Sequence, residues 1–169
     1  MSLDRLWAGW RSAYVGGTDG DGLPPGEGSV FTRILASGRP DEETHVVHRG
    51  DAVFVILNRY PYGSGHLLVM PYREVADLEA LTGDELGELW ATVVDGVRAV
   101  KAAYHPDGVN VGANLGEAAG AGVPGHVHVH VLPRWTADTN VMTAVAETRV
   151  LPEALPATWA KLRAAWPAP

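Results

Sequence analysis

Apolar positions along the chain change period several times. Val53 to Leu57 is a contiguous apolar run, and His126 to Leu132 alternates histidine with apolar residues. Both read as strands, the first suited to the centre of a sheet, the second with two faces of different character. His45–His48, His66–Met70 and Val109–Leu115 are further strand predictions, and the Asn58-to-Gly65 stretch reads as the turn of a hairpin. From Thr82 to about Tyr104 the period becomes helical. Leu86, Leu89, Trp90, Val93, Val97 and Val100 would form the buried stripe, and Thr82 with Glu85 has capping-box spacing. Gly87 and Gly96 oppose this helix, by about 1 kcal/mol each relative to Ala.

Shorter helices are predicted at three places. Leu3, Leu6, Trp7, Trp10 and Tyr14 share one face. Ser29 to Ser37 would turn Phe31, Ile34 and Leu35 inward and end at Gly38 and Pro40. Ala157 to Trp166 is the last. Gly16 to Gly28 reads as a flexible loop, Gly116 to Gly125 as a loop of small residues, and Pro133 as the stop of the final strand. Sequential strands joined by tight turns favour antiparallel pairing. The economical architecture is one α+β domain with about five strands.

Composition narrows the classes. Apolar residues make up 46% and charged residues 20% of 169, the profile of a globular domain. Thirteen basic against 20 acidic residues give a net charge of −7, which argues against a binder of duplex nucleic acid. A local phosphate site remains compatible with that charge. There is no cysteine, so disulfides and thiolate metal sites are excluded. Ala52 to Leu57 is the longest apolar run, too short for a bilayer, and the first residues carry Asp4 and Arg5 with no apolar core of a signal peptide. The resulting expectation is a cytoplasmic protein without a membrane partner.

The chemistry concentrates in His126, His128 and His130. On a strand, alternate side chains share a face, so the three imidazoles would lie roughly 7 Å apart on one side, with Val127, Val129 and Val131 on the other. Packing does not explain them, since each buried imidazole needs hydrogen-bond partners. Three readings remain: a solvated face, a zinc site with an open position for water, or a nucleophile at phosphorus with neighbours that donate to phosphate oxygens. The preceding loop favours phosphate. Gly116, Gly120, Gly122 and Gly125 let backbone N–H groups approach an anion. Only Glu117 and Asp138 lie near in sequence as carboxylates to orient metal-bound imidazoles.

Gly-His-Val-His-Val-His-Val-Leu-Pro-Arg at 125–134 resembles the signature of the HIT (histidine triad) family. Leu57 to Val69, containing Asn58 and the Gly65-His66 pair, resembles the family's substrate-side strand and turn, and Asn110 to Gly116 its approach to the phosphate loop. The Leu-Trp…Trp-Arg…Tyr segment near the start and the Thr139-to-Pro152 tail are similar to a prokaryotic branch related to diadenosine tetraphosphate phosphorylases. The resemblance implies a HIT-like fold: a five-stranded antiparallel sheet with one long and several short helices. Residues 29–135 would be the HIT core, 1–28 an N-terminal helix and loop, and 136–169 a C-terminal extension.

The resemblance also implies a dimer and a reaction. His128 would attack the α-phosphorus of a dinucleoside polyphosphate, giving a nucleotidyl-histidine resolved by water or inorganic phosphate. A carbonyl near His126 would hold its other nitrogen, and His130 would donate to a phosphate oxygen. His126 would orient the triad through His66. Asn58 would lie near the ribose, and Asn114 with Gly120, Ala121 and Gly122 would hold phosphates. Tyr60 and Tyr62 are candidates for stacking on a base, while Arg134 reads equally as a phosphate partner or a solvated charge. His45, His48 and His105 carry no motif support and read as structural. Mg²⁺ would travel with the substrate, and no metal is needed at the triad. Many relatives place Cys-x-x-Cys near the domain start, part of a structural zinc site; here Ser29-Val30-Phe31-Thr32 stands there, so that zinc is expected to be absent. Ala121-Gly122-Val123-Pro124 replaces the polar residue that many members carry before the triad. The rival functions are a nucleotide-binding scaffold with vestigial activity and a zinc-dependent hydrolase built on the three histidines.

Overall fold

Three pairings of consecutive strands and one crossover pairing build the sheet. β1 (Val46–Arg49), β2 (Val53–Leu57), β3 (Leu67–Pro71), β4 (Gly108–Ala113) and β5 (Val129–Arg134) lie in the order β1-β2-β3-β5-β4, every neighbour antiparallel. The structure, a computed structural model, describes residues 26–136, 138 and 153–168. The predicted Leu3–Tyr14 helix, most of the Gly16–Gly28 loop and the whole Thr139-to-Pro152 tail lie outside those residues. The helices are α1 (Val30–Ala36), α2 (Asp41–Thr44), α3 (Gly83–Tyr104) and α4 (Leu155–Ala165), with 3-10 turns at Leu78–Ala80 and Glu117–Ala119.

β2 and β3 are buried at every residue, because both faces of the sheet are covered. On one side, Val53, Val55, Leu57, Leu67, Val69, Val129 and Val131 pack under Leu89, Val93 and Val100 of α3 and Leu162 of α4. On the other, Phe54, Ile56, Leu68 and Met70 meet Phe31, with Ile34 and Leu35 alongside. The three histidines share this second side, since His130 pairs across the ladder with Leu68.

Thr82 caps α3, and its capping box with Glu85 is formed as predicted. The buried face is rotated from the predicted stripe. Leu89, Thr92, Val93, Gly96, Ala99 and Val100 face the core, whereas Leu86 and Trp90 are 38% and 45% exposed. Small residues mark the inward face: a Cβ on Gly96 would sit 3.6 Å from both Leu67 and Val131, so the helix approaches the sheet closely there.

β5 differs from expectation at both ends. It starts at Val129, so His126 and His128 precede the ladder, and it runs through Pro133 to Arg134. Pro133 lies beyond the last β3–β5 pair, Leu67 with Val131, where one flank of the strand has no ladder bond to lose. Gly65 shapes the return into β3. Its φ of +79° suits glycine, and a Cβ there would come within 2.9 Å of the Tyr104 ring and 3.0 Å of Pro133. α2 was not foreseen in the sequence.

Candidate active site

Hydrogen-bond partners assign a proton to each imidazole. Carbonyl oxygens only accept. His126 therefore donates from Nε2 to the Pro71 carbonyl at 2.9 Å, and its Nδ1 accepts from the Ser29 hydroxyl at 2.7 Å. His128 donates from Nδ1 to the His126 carbonyl at 2.8 Å. In the neutral ring the lone pair then lies on Nε2. Burial holds both His126 and His128 below the usual imidazole range, which favours the neutral form.

A second chain fixes His130. The Tyr62 amide donates to His66 Nδ1 at 3.0 Å, so the His66 proton sits on Nε2, which faces His130 Nδ1 at 2.9 Å. His130 accepts there and carries its own proton on Nε2. The expected link between His66 and His126 is not made. His66 sits at the mouth of β3 beside β5, within reach of His130, while His126 lies further along and is taken up by Ser29 and Pro71. The Tyr62 ring stacks on His130 at 5.9 Å and tilts against His66 at 4.7 Å, so it backs the imidazoles.

A small cleft of about 30 Å³ gathers Asn58, Asn114, Gly120, Gly122, His128 and His130, together with Phe31, Tyr60, Tyr62 and Leu68. His126 is fully buried, and neither it nor His66 lines that cleft; Ala121 does not line it either. Asn114 donates to the Gly120 carbonyl at 3.4 Å, which ties the loop to the end of β4. Gly120 has φ +89°, a backbone state that glycine adopts without strain. Asn58 accepts from the Tyr60 amide at 3.0 Å, a turn cap, while its side chain remains on the cleft. Next to the cleft, and sharing Phe31, Asn58, Tyr60, Leu68 and Gly122 with it, is a cavity of about 580 Å³. Its walls are apolar at Val30, Ile34, Ile56 and Val123, with Arg33, Arg39 and Arg59 also lining it.

The model of the HIT domain family matches residues 39–137. The chain belongs to the HIT family. Over 167 residues it is 41% identical to the AP-4-A phosphorylase of Mycobacterium tuberculosis, covering 97% of this chain and 85% of that one. It is 36% identical over 95 residues to the asymmetrical bis(5'-nucleosyl)-tetraphosphatase of Schizosaccharomyces pombe, covering 56% of this chain and 52% of the other. Among solved structures, a zinc-bound histidine triad family protein from Mycobacterium smegmatis superposes with a TM-score of 0.65 at 28% identity, over 80% of this chain and 91% of that one.

The HIT relative with zinc prompts a test of the metal. Ser29 and Thr32 bring hydroxyls and His126 brings its Nδ1, with the Glu74 carboxylate next to them. These do not fit a structural zinc. The set has no thiolate, and Ser29 Oγ lies 2.7 Å from His126 Nδ1, a hydrogen-bond separation that leaves no ion between them. The triad does not converge on an ion either, because His126 commits both ring nitrogens to Ser29 and Pro71. Among the described residues no group of three or more His, Asp or Glu is placed to hold a metal.

Arg134 bonds Asp138 and Asn110, each at 2.8 Å, and is not a cleft residue. His45 and His105 end α2 and α3 in left-handed conformations, and His48 stacks on Trp166 at 4.9 Å. Two contributors escaped the sequence reading. Phe31, which the sequence turns toward the core, meets the His126 and His128 rings edge-on, both at 5.6 Å. Glu74 has no local pattern that separates it from Glu79 or Asp77.

Proposed function

We propose that this HIT protein cleaves dinucleoside polyphosphates, diadenosine tetraphosphate among them, through a nucleotidyl-histidine on His128. One observation carries the reading. The 2.8 Å bond from His128 Nδ1 to the His126 carbonyl leaves Nε2 as the nucleophilic nitrogen, on a side chain that lines the same cleft as His130, Asn58 and Asn114. Nε2 forms a bond to the α-phosphorus as the bond to the bridging oxygen breaks, and ATP leaves. His130, with its proton on Nε2, stabilises the developing charge. Asn114 and the backbone of Gly120 and Gly122 hold phosphates. The adjoining cavity of about 580 Å³ has the size and apolar walls for a nucleoside. Mg²⁺ arrives with the polyphosphate.

Water attacking the intermediate gives AMP, and inorganic phosphate gives ADP. The AP-4-A phosphorylase similarity over 97% of the chain supports phosphate as the acceptor. Product analysis with diadenosine tetraphosphate tests this. ADP plus ATP, formed only when phosphate is present, is the expected result; AMP plus ATP without phosphate would make the protein a hydrolase.

A homodimer belongs to the same proposal. β4 is an edge strand that exposes Val111, and Leu86, Trp90 and Val94 form an exposed apolar row on α3 at four-residue spacing. A second copy is the occupant that would cover both. Among the described residues no helix is long and apolar enough to cross a membrane. A cytoplasmic setting is part of the proposal, supported by the nucleotide substrate and the cysteine-free sequence.

A further inference from the structure

We infer that Glu74 is a positioning residue for the triad, acting through Ser29 and His126 on His128. The inference rests on the proposed role of His128. Glu74 lies on the segment that follows β3, exposed and outside the cleft, so it does not touch substrate. One carboxylate oxygen, Oε2, accepts from the Ser29 amide at 2.7 Å and from the Thr32 hydroxyl at 2.9 Å. These are the cap and the first turn of α1. The same turn supplies the Ser29 hydroxyl to His126 Nδ1 at 2.7 Å, and the next residue but one, Phe31, packs on both the His126 and His128 rings.

The segment also grips the triad through its backbone. The Pro71 carbonyl takes His126 Nε2–H, and the Val75 carbonyl takes the Val127 amide at 2.7 Å. His126 is thus fixed at both ring nitrogens and at the following amide, and its own carbonyl sets the His128 proton. One carboxylate and two hydroxyls thus tie the start of α1 to the triad. Gly28 fits this arrangement. Its φ is +87°, and a Cβ there would lie 2.9 Å from Glu74 Oε2, so any other residue crowds the carboxylate. The Ser29 amide, first among the causes, holds the Glu74 carboxyl below its usual range, so the group stays charged and accepting near neutral pH.

The test uses the full chain with Glu74→Ala, Glu74→Gln, Ser29→Ala and the Glu74→Ala/Ser29→Ala double variant. Each alanine variant is expected to lower kcat on diadenosine tetraphosphate about tenfold, with KM and AMP affinity within about twofold of the parent. The double variant should be no worse than the weaker single, because both act in one chain. Glu74→Gln should recover most of kcat, since its amide oxygen can accept the same two bonds. Solvent exchange of the His128 Nδ1–H, followed by NMR, should be about tenfold faster in Glu74→Ala. An unchanged kcat in Glu74→Ala, multiplicative losses in the double variant, or unchanged Nδ1–H exchange would overturn the inference. Full turnover by His128→Ala would instead sink the proposed function, and the exchange measurement would still decide the role of Glu74.

Discussion

His66 holds His130: its Nε2 lies 2.9 Å from Nδ1 of that ring, while the Tyr62 amide occupies its own Nδ1 at 3.0 Å. A backbone amide thereby sets, through two imidazoles, which nitrogen of His130 carries the proton. Replacing His66 by alanine releases this control and leaves His130 free to hold either tautomer. The expected outcome is a fall in kcat of about tenfold to a hundredfold, with KM changed far less, in line with loss of one preorganised donor. Steady-state kinetics checks it. An equal rise in KM with kcat intact would place His66 in substrate binding instead.

The pH profile follows from burial. Desolvation, the largest cause, holds His128 below its ordinary value of 6.5. The nucleophile is therefore neutral further into acid than a free imidazole. The acid limb of kcat/KM, which reports the free enzyme, should have its midpoint below pH 6.5. The sign for stability agrees. Below pH 6.5 the unfolded chain takes up protons that buried His126 and His128 resist, so stability falls as pH drops through that window. Denaturant titrations at pH 7.5 and 5.5 should show the lower midpoint at 5.5.

Much of this site was legible in the sequence. The alternation of histidine and valine marked the imidazoles as one face, the resemblance to the HIT signature added Asn58 and Asn114, which the structure gathers with His128, His130 and the glycine loop, and the capping pair Thr82 and Glu85 marked the start of α3. Other features were not legible, each for a physical reason. Leu86 and Trp90 read as core because they are large and apolar, yet Gly96 and Ala99 share the buried face with Leu89, Val93 and Val100, and at Gly96 the missing side chain lets the helix approach the sheet closely. The alternation also hid the end of the ladder: His126 and His128 sit before β5, His126 held by Pro71 and Ser29 and His128 by the His126 carbonyl. Partner choice among histidines is set by β3–β5 register, which no single segment encodes, so His66 was matched to the wrong ring.

The exposed apolar row on α3 yields a prediction about assembly. Trp90→Glu places a charge in the middle of Leu86, Trp90 and Val94, where a second copy would bury it. Light scattering on the parent should give twice the chain mass, and on Trp90→Glu the mass of one chain. Melting temperature should change little when both are measured at a concentration where the parent has dissociated, because Trp90 is 45% exposed in the protomer. A monomeric parent would remove the dimer from the account.

The most direct test is the mass of the protein itself during turnover. Diadenosine tetraphosphate is mixed with the parent chain and with His128→Ala in the absence of phosphate, quenched in alkali, and analysed by intact mass and peptide mapping. The account predicts one adenylyl group on the parent, mapped to His128 and discharged when phosphate is added, and none on His128→Ala, which should also lose at least about a thousandfold in kcat. An adduct on another residue, or full turnover by His128→Ala, would contradict it.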